Sequence, residues 1–159
     1  MVERGAVVVT GASSGIGRAT ALLLARRGWP VYGGVRTGAD AAALAAEAGA
    51  VGLGALVRPL PLDVTDAASL AAAAARARAE VGQFGGRLAG LVNNAGIAVA
   101  GPLEEVPLAR LRAGLEVNVV GVIAATQSFL PLLRAGRGRV VNVGSVSGRI
   151  ALPFLGPYA

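Results

Sequence analysis

The chain has 159 residues, a formal net charge of +6, 54% apolar residues and only 15% charged ones. That composition builds one domain with a sizeable core and excludes a disordered chain. Cysteine, histidine and lysine are all absent, which excludes disulfides, thiolate zinc sites, a Ser-His-Asp triad, an HExxH zinc site, a Walker A loop and Schiff-base chemistry.

The first predicted element is the apolar run "AVVVT" (6–10), a buried strand. A glycine-rich turn, "TGASSGIG" (10–17), leads from it into a helix from about 15 to 27. "PVYGGV" (30–35) is a second strand with Arg36 at its end, and Asp40 is the expected N-cap of an alanine-rich helix over 41–48. "VRPLPLD" (57–63) is a weaker strand, because its two prolines suit only a sheet edge. Asp66 caps a helix over about 67–81, and "LAGLVNN" (88–94) is a fourth strand. A long helical region follows over about 107–134, then "RVVNVG" (139–144) as a fifth strand. In "FLGPYA" the proline precedes Tyr158, and proline is favoured in a first helical turn, so a helix is expected to begin there.

Apolar strands separated by helices imply a parallel sheet covered on both faces. The expected fold is α/β, a doubly wound sheet in the order 3-2-1-4-5, as one domain over 1–159. Ligands in such sheets bind beyond the carboxyl ends of the strands, at the switch point between strands 1 and 4.

The positive charge invites a nucleic-acid partner, but the arginines come as short pairs spread along the chain, and aromatics are only 4%. A binding stripe is concentrated and interleaved with aromatics, so the expectation is solvated arginine and no nucleic acid. The N-terminal apolar run of four residues is too short for a signal peptide. The uncharged run from Val117 to Leu133 contains Asn118, Gln127, Ser128 and Pro131, which reads as a helix of a soluble fold and not a membrane span. A cytoplasmic protein without a membrane partner is expected.

In the turn after strand 1, Gly11 allows a sharp bend. Gly15 and Gly17, flanking Ile16, allow the backbone to approach a pyrophosphate and the helix to pack near the strand. Ser13 and Ser14 add hydroxyl donors. The alternative is a purely structural turn. Arg36 suits the 2′-phosphate of NADP where an acid would suit the ribose of NAD; its alternative is a solvated arginine.

These segments together resemble the short-chain dehydrogenase/reductase family, and the resemblance runs over essentially the whole chain. "TGASSGIG" is similar to that family's cofactor turn. "LDVT" (62–65), with Asp63 and Val64, is similar to its acidic segment after strand 3, and "NNAG" (93–96) to its motif after strand 4. Asn118 matches a helix asparagine, and Ser145 precedes Tyr158 by thirteen residues, the family's usual spacing. The resemblance implies a Rossmann domain with Asp63 at the adenine, or alternatively capping a turn. It implies that Asn93, Ala95 and Gly96 border the cofactor. It also implies that Tyr158 is the acid/base group and that Ser145, with Ser147 as its rival, orients the substrate oxygen. Asn118 is a family catalytic position or an ordinary satisfied amide. Expected are NADP in preference to NAD, hydride exchange with a secondary alcohol or ketone of steroid, retinol or small-carbonyl type, and a homo-oligomeric parent.

The sequence departs from the family in one place: no lysine stands four residues after the tyrosine, since the chain ends at Ala159. The expectation is therefore an N-terminal portion of a longer oxidoreductase, without strands 6 and 7 or the substrate lid, and inactive as it stands. The alternative is a non-catalytic nucleotide-binding module.

Overall fold

The computed structural model describes residues 4–150 and 152–158. Five strands, β1 (Ala6–Val9), β2 (Val31–Val35), β3 (Val57–Pro61), β4 (Leu88–Asn93) and β5 (Arg139–Asn142), form one sheet in the order β3-β2-β1-β4-β5. Every pairing is parallel, as the unbroken apolar runs require. β3 is an edge strand, and its Pro59 and Pro61 lack the N–H that a second neighbour would need.

Alternation along β1 divides the core. Ala6 and Val8 face one layer with Tyr32, Leu60, Leu91 and Phe129, while Val7 and Val9 face the other with Ala21, Val31, Val35 and Leu44. Helices α1 (Gly15–Arg26) and α2 (Gly38–Ala50) cover the second face. α3 (Ala67–Glu80) and α5 (Gly121–Ala135) cover the first. α5 buries Gly121, Ala125, Phe129 and Leu133, one residue per turn. Phe129 is fully buried, so truncating it to alanine costs about 3–5 kcal/mol.

Three local expectations are corrected. The N-cap of α2 is Thr37, not Asp40. The Thr37 hydroxyl accepts the Asp40 N–H at 3.0 Å and donates to Asp40 Oδ2 at 2.7 Å, so the helix starts at Gly38 and Asp40 is a first-turn acid. The long helical region is not one regular helix: α4 (Leu108–Leu115) passes through a π-helical segment, Glu116–Val120, into α5. Taken together, Leu108–Ala135 is long and apolar enough to cross a membrane, but its α5 half lies against the sheet. Finally, residues 152–158 form turns, not the start of a helix.

Candidate functional site at the carboxyl ends of β1, β2, β3 and β4

A cleft of about 500 Å³ opens beyond the carboxyl ends of the strands. The turn after β1 forms its floor. Gly11 has φ +67° and Gly15 φ +52°, conformations that side chains disfavour. A Cβ on Gly17 would stand 2.2 Å from the Gly11 carbonyl oxygen, so only glycine lets α1 begin this close to the turn. Ser14 is the N-cap of α1, and its hydroxyl makes no capping bond. The first N–H groups of the helix have no intrahelical acceptor and carry the positive end of its dipole. Gly11, Ser13, Ser14, Gly15 and Ile16 line the cleft, while Gly17 packs beneath it.

Arg36, exposed at the end of β2, and Asp63, after β3, form the next wall with Val64. Asp63 Oδ1 accepts the Thr65 N–H at 2.9 Å and the Thr65 hydroxyl at 2.7 Å. Those two bonds hold the Asp63 carboxyl below the usual carboxylate range, and the nearby positive charge of Arg36 adds to the effect. The Asp63 N–H is held separately by Ser69 Oγ at 2.9 Å.

The wall after β4 is fixed from β1. Thr10 Oγ1 accepts the N–H groups of Asn94 and Ala95, at 3.0 and 2.9 Å. The Asn94 side-chain amide donates to the carbonyls of Thr10 and Gly11, at 3.0 and 3.2 Å. Asn94, Ala95 and Gly96 therefore line the cleft. Asn93 does not: its side chain points to the other side of the strand, where Nδ2 donates to Thr126 Oγ1 and Asn142 Oδ1. Sequence reasoning named Asn93 among the cofactor residues, whereas Asn94 is the member of the pair that lines the cleft, and it passed over Thr10.

Asn118 lies in the π segment and exchanges two hydrogen bonds with Ile97. The Ile97 N–H donates to Asn118 Oδ1 at 2.9 Å, and Asn118 Nδ2 donates to the Ile97 carbonyl at 2.8 Å. It is thus a satisfied amide that straps the β4 loop to the helix, and Ile97 and Val117 beside it reach the cleft. Ser145 N-caps a short 3-10 turn (Val146–Gly148), its Oγ accepting the Ser147 N–H at 3.1 Å. Ser145 is exposed and Ser147 buried. Tyr158 lies in the last described turn, its N–H donating to the Leu155 carbonyl at 2.9 Å. Neither Ser145 nor Tyr158 lines the cleft.

A glycine turn opening a helix, an acid after β3 and an asparagine loop after β4 occupy the positions that sequence resemblance assigned them. The family model for short chain dehydrogenases matches residues 5–159. The chain belongs to that family. It is 37% identical over 157 residues to the NADPH-dependent 3-dehydrocapnine reductase of Ornithobacterium rhinotracheale, covering 96% of this chain and 53% of that one. It is 39% identical over 146 residues to retinol dehydrogenase 5 of Mus musculus, covering 91% and 44%. The fold superposes with a TM-score of 0.85 on an alcohol dehydrogenase from the archaeon Thermococcus sibiricus complexed with 5-hydroxy-NADP, at 32% identity and covering 98% and 64%. The family member described here thus spans about half the length of the curated relatives it matches.

Proposed function

We propose that this short chain dehydrogenase binds a nicotinamide dinucleotide in the cleft, with NADP preferred over NAD, as the half of an oxidoreductase that acts on a secondary alcohol or ketone. The observation that carries the reading is the cleft itself. Its glycine turn and the free N–H groups of α1 suit a pyrophosphate, and Asp63, held ionised, suits an adenine amino group. Arg36 supplies a bidentate cation for a 2′-phosphate. No carboxylate follows β2 until Asp40, which Thr37 engages. Two of the similar proteins, a NADPH-dependent reductase and an alcohol dehydrogenase complexed with an NADP derivative, support the same cofactor and substrate class.

When bound, the nicotinamide supplies the hydride acceptor or donor. The protein's part is to hold the nucleotide, to keep the β4 loop in place through Thr10, Asn94 and Asn118, and to move one proton at the substrate oxygen. In the whole oxidoreductase Tyr158 would move that proton and Ser145 would orient the oxygen by a hydrogen bond.

Titration of NADPH and NADH by nicotinamide fluorescence tests the cofactor half of the proposal. NADPH should bind more tightly, and Arg36→Asp should reverse or narrow the difference by on the order of 1.5–3 kcal/mol. Equal affinities unchanged by the substitution would remove Arg36 from the site. A second reading, a nucleotide-binding module without turnover, is favoured by one observation. The glycine turn, Arg36 and Asp63 line the cleft, whereas Ser145 and Tyr158 lie outside it.

A further inference from the structure

The arginines that are dispersed in the sequence are gathered by the fold. All five strands run the same way, so their amino ends share one rim of the sheet, opposite the cleft. Arg26 and Arg27 end α1 just before β2, Arg4 precedes β1, Arg87 precedes β4, and Arg137 and Arg139 precede and open β5. Six of the fifteen arginines therefore stand along one line across four neighbouring strands, and all six are exposed. At about 4.8 Å per strand the line is roughly 14 Å long.

Hydrogen bonds hold the row together. Arg4 Nη1 donates to the Arg27 carbonyl. The Ala6 N–H donates to the Arg87 carbonyl at 2.7 Å. Arg87 Nη1 donates to the Gly136 carbonyl at 2.6 Å. Arg4 also lies over the Trp29 ring, 5.6 Å from its centroid. Among the described residues no carboxylate pairs with any of the six: the ion pairs join Arg18 to Glu47, and Arg58 and Arg76 to Glu80. Glu3 lies outside the described residues. Arg26 at the end of α1 has an ordinary role, since a cation there opposes the negative end of the helix dipole. Arg4 and Arg87 stand in no helix but meet helix ends, through their bonds to the carbonyls of Arg27 and Gly136, the C-caps of α1 and α5; Arg139, in β5, has no such role.

A row of like charges is repulsive unless negative charge meets it. We propose that the amino-end rim of the sheet docks on a lipid bilayer surface that carries anionic phospholipid. Guanidinium groups bind phosphate in a planar, bidentate way, and arginines spread across four neighbouring strands meet several headgroups of one surface at once. The chain's one tryptophan, Trp29, has a ring face taken by Arg4, whereas sites for single-stranded nucleic acid present open aromatic faces for stacking. The valines of β5 beside Arg139, Val140 and Val141, are 40% and 53% exposed and add apolar surface next to the cations. The cleft at the opposite end stays open in this orientation.

Vesicle flotation of the 159-residue protein decides the proposal, because aggregates do not float. It should float with vesicles of phosphatidylcholine mixed with phosphatidylserine and not with phosphatidylcholine alone, and salt should reverse it. The triple variant Arg87→Gln, Arg137→Gln, Arg139→Gln should lose about fivefold in binding per arginine, on the order of a hundredfold in all. The control triple Arg110→Gln, Arg112→Gln, Arg149→Gln removes the same charge elsewhere and should keep binding within a few-fold, with circular dichroism confirming that both variants fold. Equal losses in the two triples would reduce the effect to net charge and overturn the proposal. So would binding to a DNA duplex that is sensitive to the rim triple, with no flotation on anionic vesicles.

Discussion

Thr10 and Asn94, 84 positions apart, are joined twice: the Asn94 N–H donates to Thr10 Oγ1, and the Asn94 side-chain amide donates to the Thr10 carbonyl, each at 3.0 Å. The first of these bonds is shared with Ala95, whose N–H reaches the same hydroxyl. One buried side chain at the end of β1 therefore satisfies two backbone donors of the cleft's far wall. Thr10→Val keeps the shape and removes the acceptor. The cost should be about 2–3 kcal/mol, because an orphaned buried donor costs about 1–3 kcal/mol. Urea unfolding measures it, and nucleotide affinity should fall with it. A loss under about 0.5 kcal/mol would mean that the hydroxyl is not what holds the wall.

Much of this arrangement was legible in the sequence, for physical reasons. Strands buried on both faces have to be apolar throughout, so their runs stood out. Pro59 and Pro61 fixed β3 at an edge, and the glycines of the first turn marked a place where backbone meets backbone. What was not legible depended on one-residue choices. Thr37 and Asp40 both suit an N-cap, and only the helix start tells them apart. Asn93 and Asn94 are chemically identical, and adjacent strand residues face opposite ways, so the end of β4 decides which reaches the cleft. The partners of Thr10 and Asn118 are distant in the chain, and no local pattern announces them. The arginine row is the clearest case, because strand order alone makes neighbours of residues as far apart as Arg4 and Arg139.

Tyr32 gives a prediction for alkaline pH. Its ring is fully buried, meets Phe84 edge-on at 4.9 Å between centroids, and has a hydroxyl without a hydrogen-bond partner among the described residues. Burial, aided by the charge of Glu80, pushes this phenol up to about 12 from an ordinary 10. The folded value is raised, so the contribution to stability is complete below pH 10 and disappears as pH rises through 12. The amount is about 2–3 kcal/mol. Tyr32→Phe should flatten the stability profile across that window and raise stability at neutral pH by about 1 kcal/mol, since an unsatisfied hydroxyl is removed. Chemical denaturation at several pH values tests both effects. An unchanged alkaline slope would show that Tyr32 is not the titrating group.

The surface around β5 predicts self-association. β5 is an edge strand whose four residues are all exposed, Val141 by 53%. Val119 and Ile123, on the adjoining helical segments, are 49% and 54% exposed. An open apolar edge templates pairing with another chain. The 159-residue protein should sediment as mixed oligomers whose size grows with concentration, and Val141→Lys should shift it towards monomer. A single monomeric species at every concentration would contradict this.

The last prediction concerns Tyr158. A neighbouring cation is what makes a tyrosine an effective base at working pH. All fifteen basic residues here are arginine, so the lysine that the family pattern places four residues beyond the tyrosine is not supplied within these 159 residues. Tyr158 also sits in a turn anchored on the Leu155 carbonyl, outside the cleft, and not on a helix that would aim it. Tyr158 is therefore not aimed at the cleft in this chain. The purified protein should bind NADPH yet show no NADP-dependent alcohol oxidation or ketone reduction. A chain extended by a family-like segment that carries the lysine should acquire activity, and Tyr158→Phe in that longer chain should abolish it. Steady NADPH consumption by the 159-residue protein, lost in its own Tyr158→Phe variant, would show that the tyrosine works without the lysine.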